Sequence, residues 1–133
     1  MQLFARLFPG EVKALVLIDS VHENQVARFF EFSQAAGEGL VAEIAEVHKG
    51  LDYAASEKQL QAAPALRRDV PLTVVSRGRQ TDVGKVWGEL QADLASQSDK
   101  SEHIIAAHSG HAIQFDEPEV IVGAIRKALE YRV

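Results

Sequence analysis

Three short stretches of the chain are apolar almost without interruption, and around them apolar residues recur every three or four positions. The first apolar stretch, ALVLI at 14–18, ends at Asp19-Ser20 and predicts a strand covered on both faces, as parallel strands are. The second, 72–76, follows Pro71 and closes on Arg77-Gly78-Arg79. The third is 103–107. Ahead of them, Leu3, Phe4 and Leu7 share one side of a helix over 2–8 that Pro9-Gly10 stops. That helix begins at Met1 without a capping residue, which carries the expectation that further chain precedes it. Between the first two strands, Phe29, Phe30, Leu40, Val41, Ile44 and Val47 recur at helical spacing over 23–51. Gly37 and Gly39 are expected to divide two helices there, with a third over 56–63 before Pro64. Val83, Val86, Trp87, Leu90 and Leu94 mark an amphipathic helix between the second and third strands. A last helix follows the loop HSGHAIQF: Asp116 is expected to cap it, Glu119 to complete a capping box, and Val120, Ile121, Ala124, Ile125 and Leu129 to face the core. Strands alternating with helices imply an α/β fold of parallel βαβ units.

Composition narrows the class of protein. With 133 residues the chain fits one domain, and its 47% hydrophobic and 25% charged residues exclude the signature of disorder. The net charge of −5 comes with both signs interspersed, so no basic face is expected to follow nucleic acid. Cysteine is absent, which rules out disulfides, thiolate metal sites and a Cys nucleophile together. The apolar residues near Met1 are broken by Arg6 and Pro9, too short a run for a signal peptide or membrane span, so a cytoplasmic location is expected.

Several segments, in order, carry a resemblance. ARLFPGEVKALVLIDSVHENQ, PLTVVSRG, Trp87-Gly88-Glu89-Leu90-Gln91 and SGHAIQFDEPEVIVGAIRKAL together resemble the C-terminal half of the α/β-hydrolases, in an esterase-like branch. The resemblance implies that the three strands correspond to the family's sixth to eighth. It implies that 1–133 is a single half-domain with a helical cap insertion at about 23–63. The family's G-x-S-x-G elbow is absent. Ala107-His108-Ser109-Gly110-His111 is the nearest string; it lacks the flanking glycines and the strand-turn-helix setting, so Ser109 is not read as a nucleophile.

A Ser-His-acid site needs a histidine as base and an acid that fixes its tautomer. The resemblance places the histidine at His111; on residue chemistry alone it is an ordinary loop histidine. Two acids compete. Asp19 closes the first strand and can reach an imidazole in a neighbouring loop, or it caps the segment beginning at Val21. Asp82 follows the second strand and either orients the histidine or caps the helix after it. His22, His103, and the pair His108-x-x-His111 are poor grounds for zinc without Cys or a helical HExxH, and no metal or cofactor is expected. Trp87, Phe29 and Phe30 read as packing, Arg77 and Arg79 as a solvated loop or an anion contact. Two functions follow. One is an ester or acyl hydrolase of small molecules with the histidine and acid half of a triad, inactive alone for want of a serine. The other is a non-catalytic domain that self-associates. In either, the bare edge of 14–18 is expected to meet another copy, giving a homo-oligomer, or a missing N-terminal half.

Overall fold

The computed structural model of the chain describes residues 1–79 and 81–131. Its elements run α1 (Gln2–Leu7), β1 (Leu15–Ile18), α2 (Gln25–Phe32), α3 (Gln34–Val47), α4 (Tyr53–Ala62), β2 (Leu72–Arg77), α5 (Gly84–Ser96), β3 (Ser101–Ala106), α6 (Ile113–Asp116) and α7 (Pro118–Glu130). The three strands form one parallel sheet in the order β1-β2-β3, with Leu15 beside Leu72 and Leu72 beside Ser101. Among the described residues no helix is long and apolar enough to cross a membrane.

Alternation along the strands divides the core between two faces. Leu15, Leu17, Leu72 and Val74 point to one, where Ala5 of α1 and Leu94 and Ala95 of α5 pack on them. Val16, Ile18, Val75 and Ala106 point to the other, beneath Ile113 and the Val120, Ile121 and Ala124 stripe of α7. The uninterrupted apolar run LVLI of β1 is what packing on both faces demands. Beyond the sheet, Phe29 of α2 and Ala36 and Leu40 of α3 pack on Val86, Trp87 and Leu90 of α5. That contact holds the α2–α3 pair over one end of the sheet.

Several expected details change. The break between α2 and α3 falls at Ser33, not at the glycines. Ser33 is extended and its hydroxyl accepts from Ala36 N–H, a side-chain cap that starts α3. Gly37 lies inside α3 because a Cβ there would come within 2.3 Å of the Phe30 ring, so it lets the two helices approach. Phe30, Val41 and Val47 are exposed. The helix placed at 56–63 starts earlier, at Tyr53, with the Asp52 carboxylate capping Ala55 N–H. Residue 77 joins the second strand, and the third runs from Ser101 to Ala106 rather than to 107.

In α1 the buried face is Gln2, Ala5 and Arg6, while Phe4 and Leu7 are exposed. Polar partners reverse the apolar pattern here: Arg6 donates to Leu60 C=O and Gln97 Oε1 and pairs with Glu23 at 2.5 Å, and Gln2 donates to Ser20 Oγ and Val21 C=O. The expected capping box of the last helix does not form. Asp116 ends α6 and its carboxylate takes Gly110 N–H, while α7 opens at Pro118 after Glu117 with no side-chain cap. Pro118 at the first helical position removes one of the N–H groups that a helix start leaves unbonded, and its fixed φ suits the first turn. Ile125 and Leu129 are exposed rather than in the core.

Candidate functional site

The C-terminal ends of the three parallel strands deliver polar residues to one place, the end of an α/β sheet where sites are commonly built. Asp19 follows the last residue of β1 and carries φ +42, the single non-glycine left-handed residue among those described. Aspartate tolerates that conformation better than most residues. Its N–H still reaches Val75 C=O at 2.6 Å, so the chain leaves the sheet only after the ladder is complete. The carboxylate is fully buried, which is costly unless every lone pair is used.

Four donors use them. Oδ1 accepts from Trp87 Nε1 at 2.7 Å and Arg77 N–H at 3.2 Å; Oδ2 accepts from Arg77 Nε at 2.8 Å and bonds His111 Nδ1 at 2.6 Å. The Arg77 guanidinium also lies 4.8 Å from the centre of the Trp87 ring, a cation–π contact that braces both donors. Asp19 is thus bonded across β2 to a loop 92 residues away in sequence.

His111 is the opposite in exposure: 70% of its side chain is open. A buried ionised carboxylate only accepts, so the bond at Nδ1 requires the proton to sit there, and the neutral ring presents Nε2 as a free lone pair. The chain around His111 is held from both sides. Gly78 has no room for a Cβ, which would fall 2.5 Å from the Ala107 backbone, so the exits of β2 and β3 lie against each other. Gly78 N–H bonds Ala106 C=O, and Arg79 N–H bonds Ser109 C=O. On the far side, Glu117 accepts from His108 N–H at 2.9 Å and from the Ser109 hydroxyl at 2.6 Å, and the Ser109 bond holds its carboxyl below the usual range.

The pair opens on a cavity of about 600 Å³ whose lining includes Phe29, Leu40, Ile44 and Trp87 together with His111 and Arg79. One wall is therefore apolar and comes from α2, α3 and α5; His111 and Arg79 stand on the other. This is the shape of a site that takes a mainly apolar small molecule and orients it by a few polar groups.

Of the residues singled out from sequence, Asp19 and His111 meet and Asp82 does not join them. Asp82 is exposed on the turn before α5, whose N-cap is Val83 without a side-chain bond, so Asp82 does not cap that helix either. Ser109 is wholly buried, with its hydroxyl committed to Glu117. The other histidines go separate ways: His22 is buried and bonds Asp93 at 2.7 Å, His103 bonds the Ser76 hydroxyl at 2.8 Å and burial lowers its pKa, and His108 is exposed. Among the described residues no three His, Asp or Glu side chains gather as a metal site.

Trp87, read as packing, and Arg77, read as a solvated loop or an anion contact, prove to be groups that satisfy the Asp19 carboxylate. A signal was present for Trp87: a tryptophan on the core face of a helix needs an acceptor for its indole N–H. Arg77 had none beyond its place at the end of an apolar strand. No family model, curated protein or solved structure matches this chain.

Proposed function

We propose that this chain carries the histidine and acid half of an ester or acyl hydrolase site of the α/β-hydrolase kind, with His111 as general base and Asp19 as the acid that orients it. The observation that carries the reading is the Nδ1 to Oδ2 bond of 2.6 Å between an exposed imidazole and a buried carboxylate whose other acceptor positions are occupied. Arg77 and Trp87 hold the carboxylate in place, Asp19 holds the imidazole proton on Nδ1, and Nε2 is left to take a proton from an attacking hydroxyl. Among the described residues no serine hydroxyl bonds His111, so on this reading the hydroxyl comes from water or from another polypeptide. The sheet order and strand polarity agree with the resemblance to that family's sixth to eighth strands.

Hydrolysis of p-nitrophenyl butyrate tests this with the wild type, His111→Ala and Asp19→Asn, combined with intact-mass measurement after fluorophosphonate treatment. A general base without a nucleophile or oxyanion donors supplies the low end of its usual range, on the order of 10²-fold or less. The expected result is slow, burst-free hydrolysis that disappears in His111→Ala, and no fluorophosphonate adduct. Hydrolysis that His111→Ala leaves unchanged would remove His111 from the chemistry. An adduct on a serine would place a nucleophile inside the chain and overturn the half-site.

A further inference from the structure

The cavity beside His111 carries charges for which proton transfer has no use. Apart from its two histidines, its charged lining residues are Asp19, Arg77, Arg79 and Glu43. Asp19 and Arg77 are bonded to each other, which leaves Arg79 and Glu43. Arginines elsewhere find an acid even where they are open to water: Arg28 pairs with Glu89, Arg67 with Asp69 and Arg68 with Asp99. Arg79 is exposed, and among the described residues no carboxylate pairs with it. Its backbone is nonetheless fixed, because Arg79 N–H bonds Ser109 C=O and Gly78 before it lies against Ala107. The unpaired guanidinium is thus mounted on the junction of two strand exits, at the cavity and beside the His111 loop.

The α3 wall has the opposite need. Leu40, Ile44 and Val47 recur at helical spacing along the cavity, and Val47 is 66% exposed. With Phe29 and Trp87 they leave apolar surface that gains by being covered. Glu43 lies among them on the same helix face, three residues after Leu40 and four before Val47, and it too has no ion-pair partner among the described residues. An acid there opposes a second negative charge on whatever covers this wall.

We propose that the cavity binds an amphipathic monocarboxylate, with its apolar chain against Phe29, Leu40, Ile44 and Trp87 and its carboxylate on the Arg79 guanidinium. Guanidinium offers a carboxylate two parallel N–H donors, a match that fixes the orientation of the ligand as well as its charge. The chain supplies the remaining affinity by burial, each methylene removed from water tightening binding about threefold to fourfold. The site shares its cavity with His111 but holds its ligand without the proton transfer proposed there, so either assignment can fail while the other stands.

Trp87 is the single tryptophan of the chain and lines the cavity, so its fluorescence reports occupancy. Octanoate, hexanoate, octanol, octylammonium and the dicarboxylate suberate are titrated into the full chain below their micellar concentrations. Octanoate is expected to saturate the site, about 10-fold tighter than hexanoate for its two further methylenes, and to bind more tightly than the other three. Arg79→Gln should lose at least about threefold in octanoate affinity, the effect of one partly exposed ion pair, and leave octanol unchanged. Arg79→Met alters the same exposed side chain and serves if Arg79→Gln does not fold. Ile44→Asn should weaken octanoate and octanol alike, and His111→Ala should bind octanoate as the wild type does. Failure of octanoate to saturate, or octylammonium or suberate binding as tightly as octanoate, would overturn the proposal. So would an Arg79 variant that keeps the full octanoate affinity, or its loss in His111→Ala, which would put the anion on the imidazole instead.

Discussion

Asp19→Asn is the substitution that the geometry interprets most closely. It keeps the size of the side chain, and asparagine accepts the left-handed backbone at φ +42, so the change acts on charge and lone pairs alone. The carboxylate takes two donors on each oxygen; an amide offers one oxygen and one NH₂. Placing the amide oxygen toward Trp87 Nε1 and Arg77 N–H turns the NH₂ toward Arg77 Nε and His111 Nδ1. The histidine can adapt by moving its proton to Nε2, which is the wrong tautomer for a base. Arg77 cannot adapt, because guanidinium has no acceptor. One charge-assisted bond is lost and a cation that is 24% exposed is left without its anion. Bonds to charged groups contribute about 1.5–3 kcal/mol, and breaking a fully buried pair costs about 3–5 kcal/mol. Arg77's partial exposure places the expected loss at about 2–4 kcal/mol, a fall in Tm of roughly 10 °C for a domain of this size. Calorimetry reads the stability, and ¹⁵N shifts of the imidazole read the tautomer, expected as Nδ1–H in the wild type and Nε2–H in the variant. Asp19→Ala should lose more, because alanine also carries a left-handed penalty of about 1–2 kcal/mol. A variant that melts with the wild type, or one that keeps the Nδ1–H tautomer, would refute the assignment of Asp19 as the residue that orients His111.

Other predictions concern the neighbouring structure. Trp87→Phe keeps a ring against Phe29, whose centre lies 6.4 Å away, but removes the indole donor to Asp19; urea unfolding should show a loss of about 1–3 kcal/mol. Gly37→Ala drives a methyl into the Phe30 ring and should cost about 1–3 kcal/mol despite its better helix propensity. Gly39→Ala, with open space at its Cβ, should instead gain up to about 1 kcal/mol in the same assay. His103 has its pKa lowered by burial, so the unfolded chain takes up its proton first as pH falls. Its contribution is therefore neutral well above the unfolded value near 6.5 and turns destabilising below it. Urea midpoints measured at pH 7.5 and 5.5 should fall more in the wild type than in His103→Asn; an equal fall in both would show that His103 is not the group responsible.

Much of the architecture could be read from short stretches of chain. Short apolar clusters located the three strands, most clearly LVLI of β1, which is packed on both faces, and the stripe Val86, Trp87, Leu90 and Leu94 located α5 with its buried face. Reading failed where polar groups found distant partners. Gln2 and Arg6 turned α1 over, since Leu60, Gln97 and Glu23 satisfy Arg6 from far along the chain. Ser33 outcompeted two glycines as the helix boundary because its hydroxyl caps α3, while Gly37 was needed for its missing Cβ. Glu117 and Asp116 were drawn away from capping α7 by N–H and hydroxyl groups of the His111 loop.

By itself the sequence determined the class of fold, the number and order of strands, and the two residues worth watching, His111 and Asp19. Periodicity is a local property and needs only neighbours to be visible. The tertiary structure alone decided that Asp19 rather than Asp82 meets His111, and that Arg77 and Trp87 make the meeting possible. Those partners lie 58, 68 and 92 residues from Asp19. They converge because parallel register brings the C-terminal ends of the strands together and Gly78 lets the last two loops touch, and neither condition leaves a mark on any short stretch of the chain.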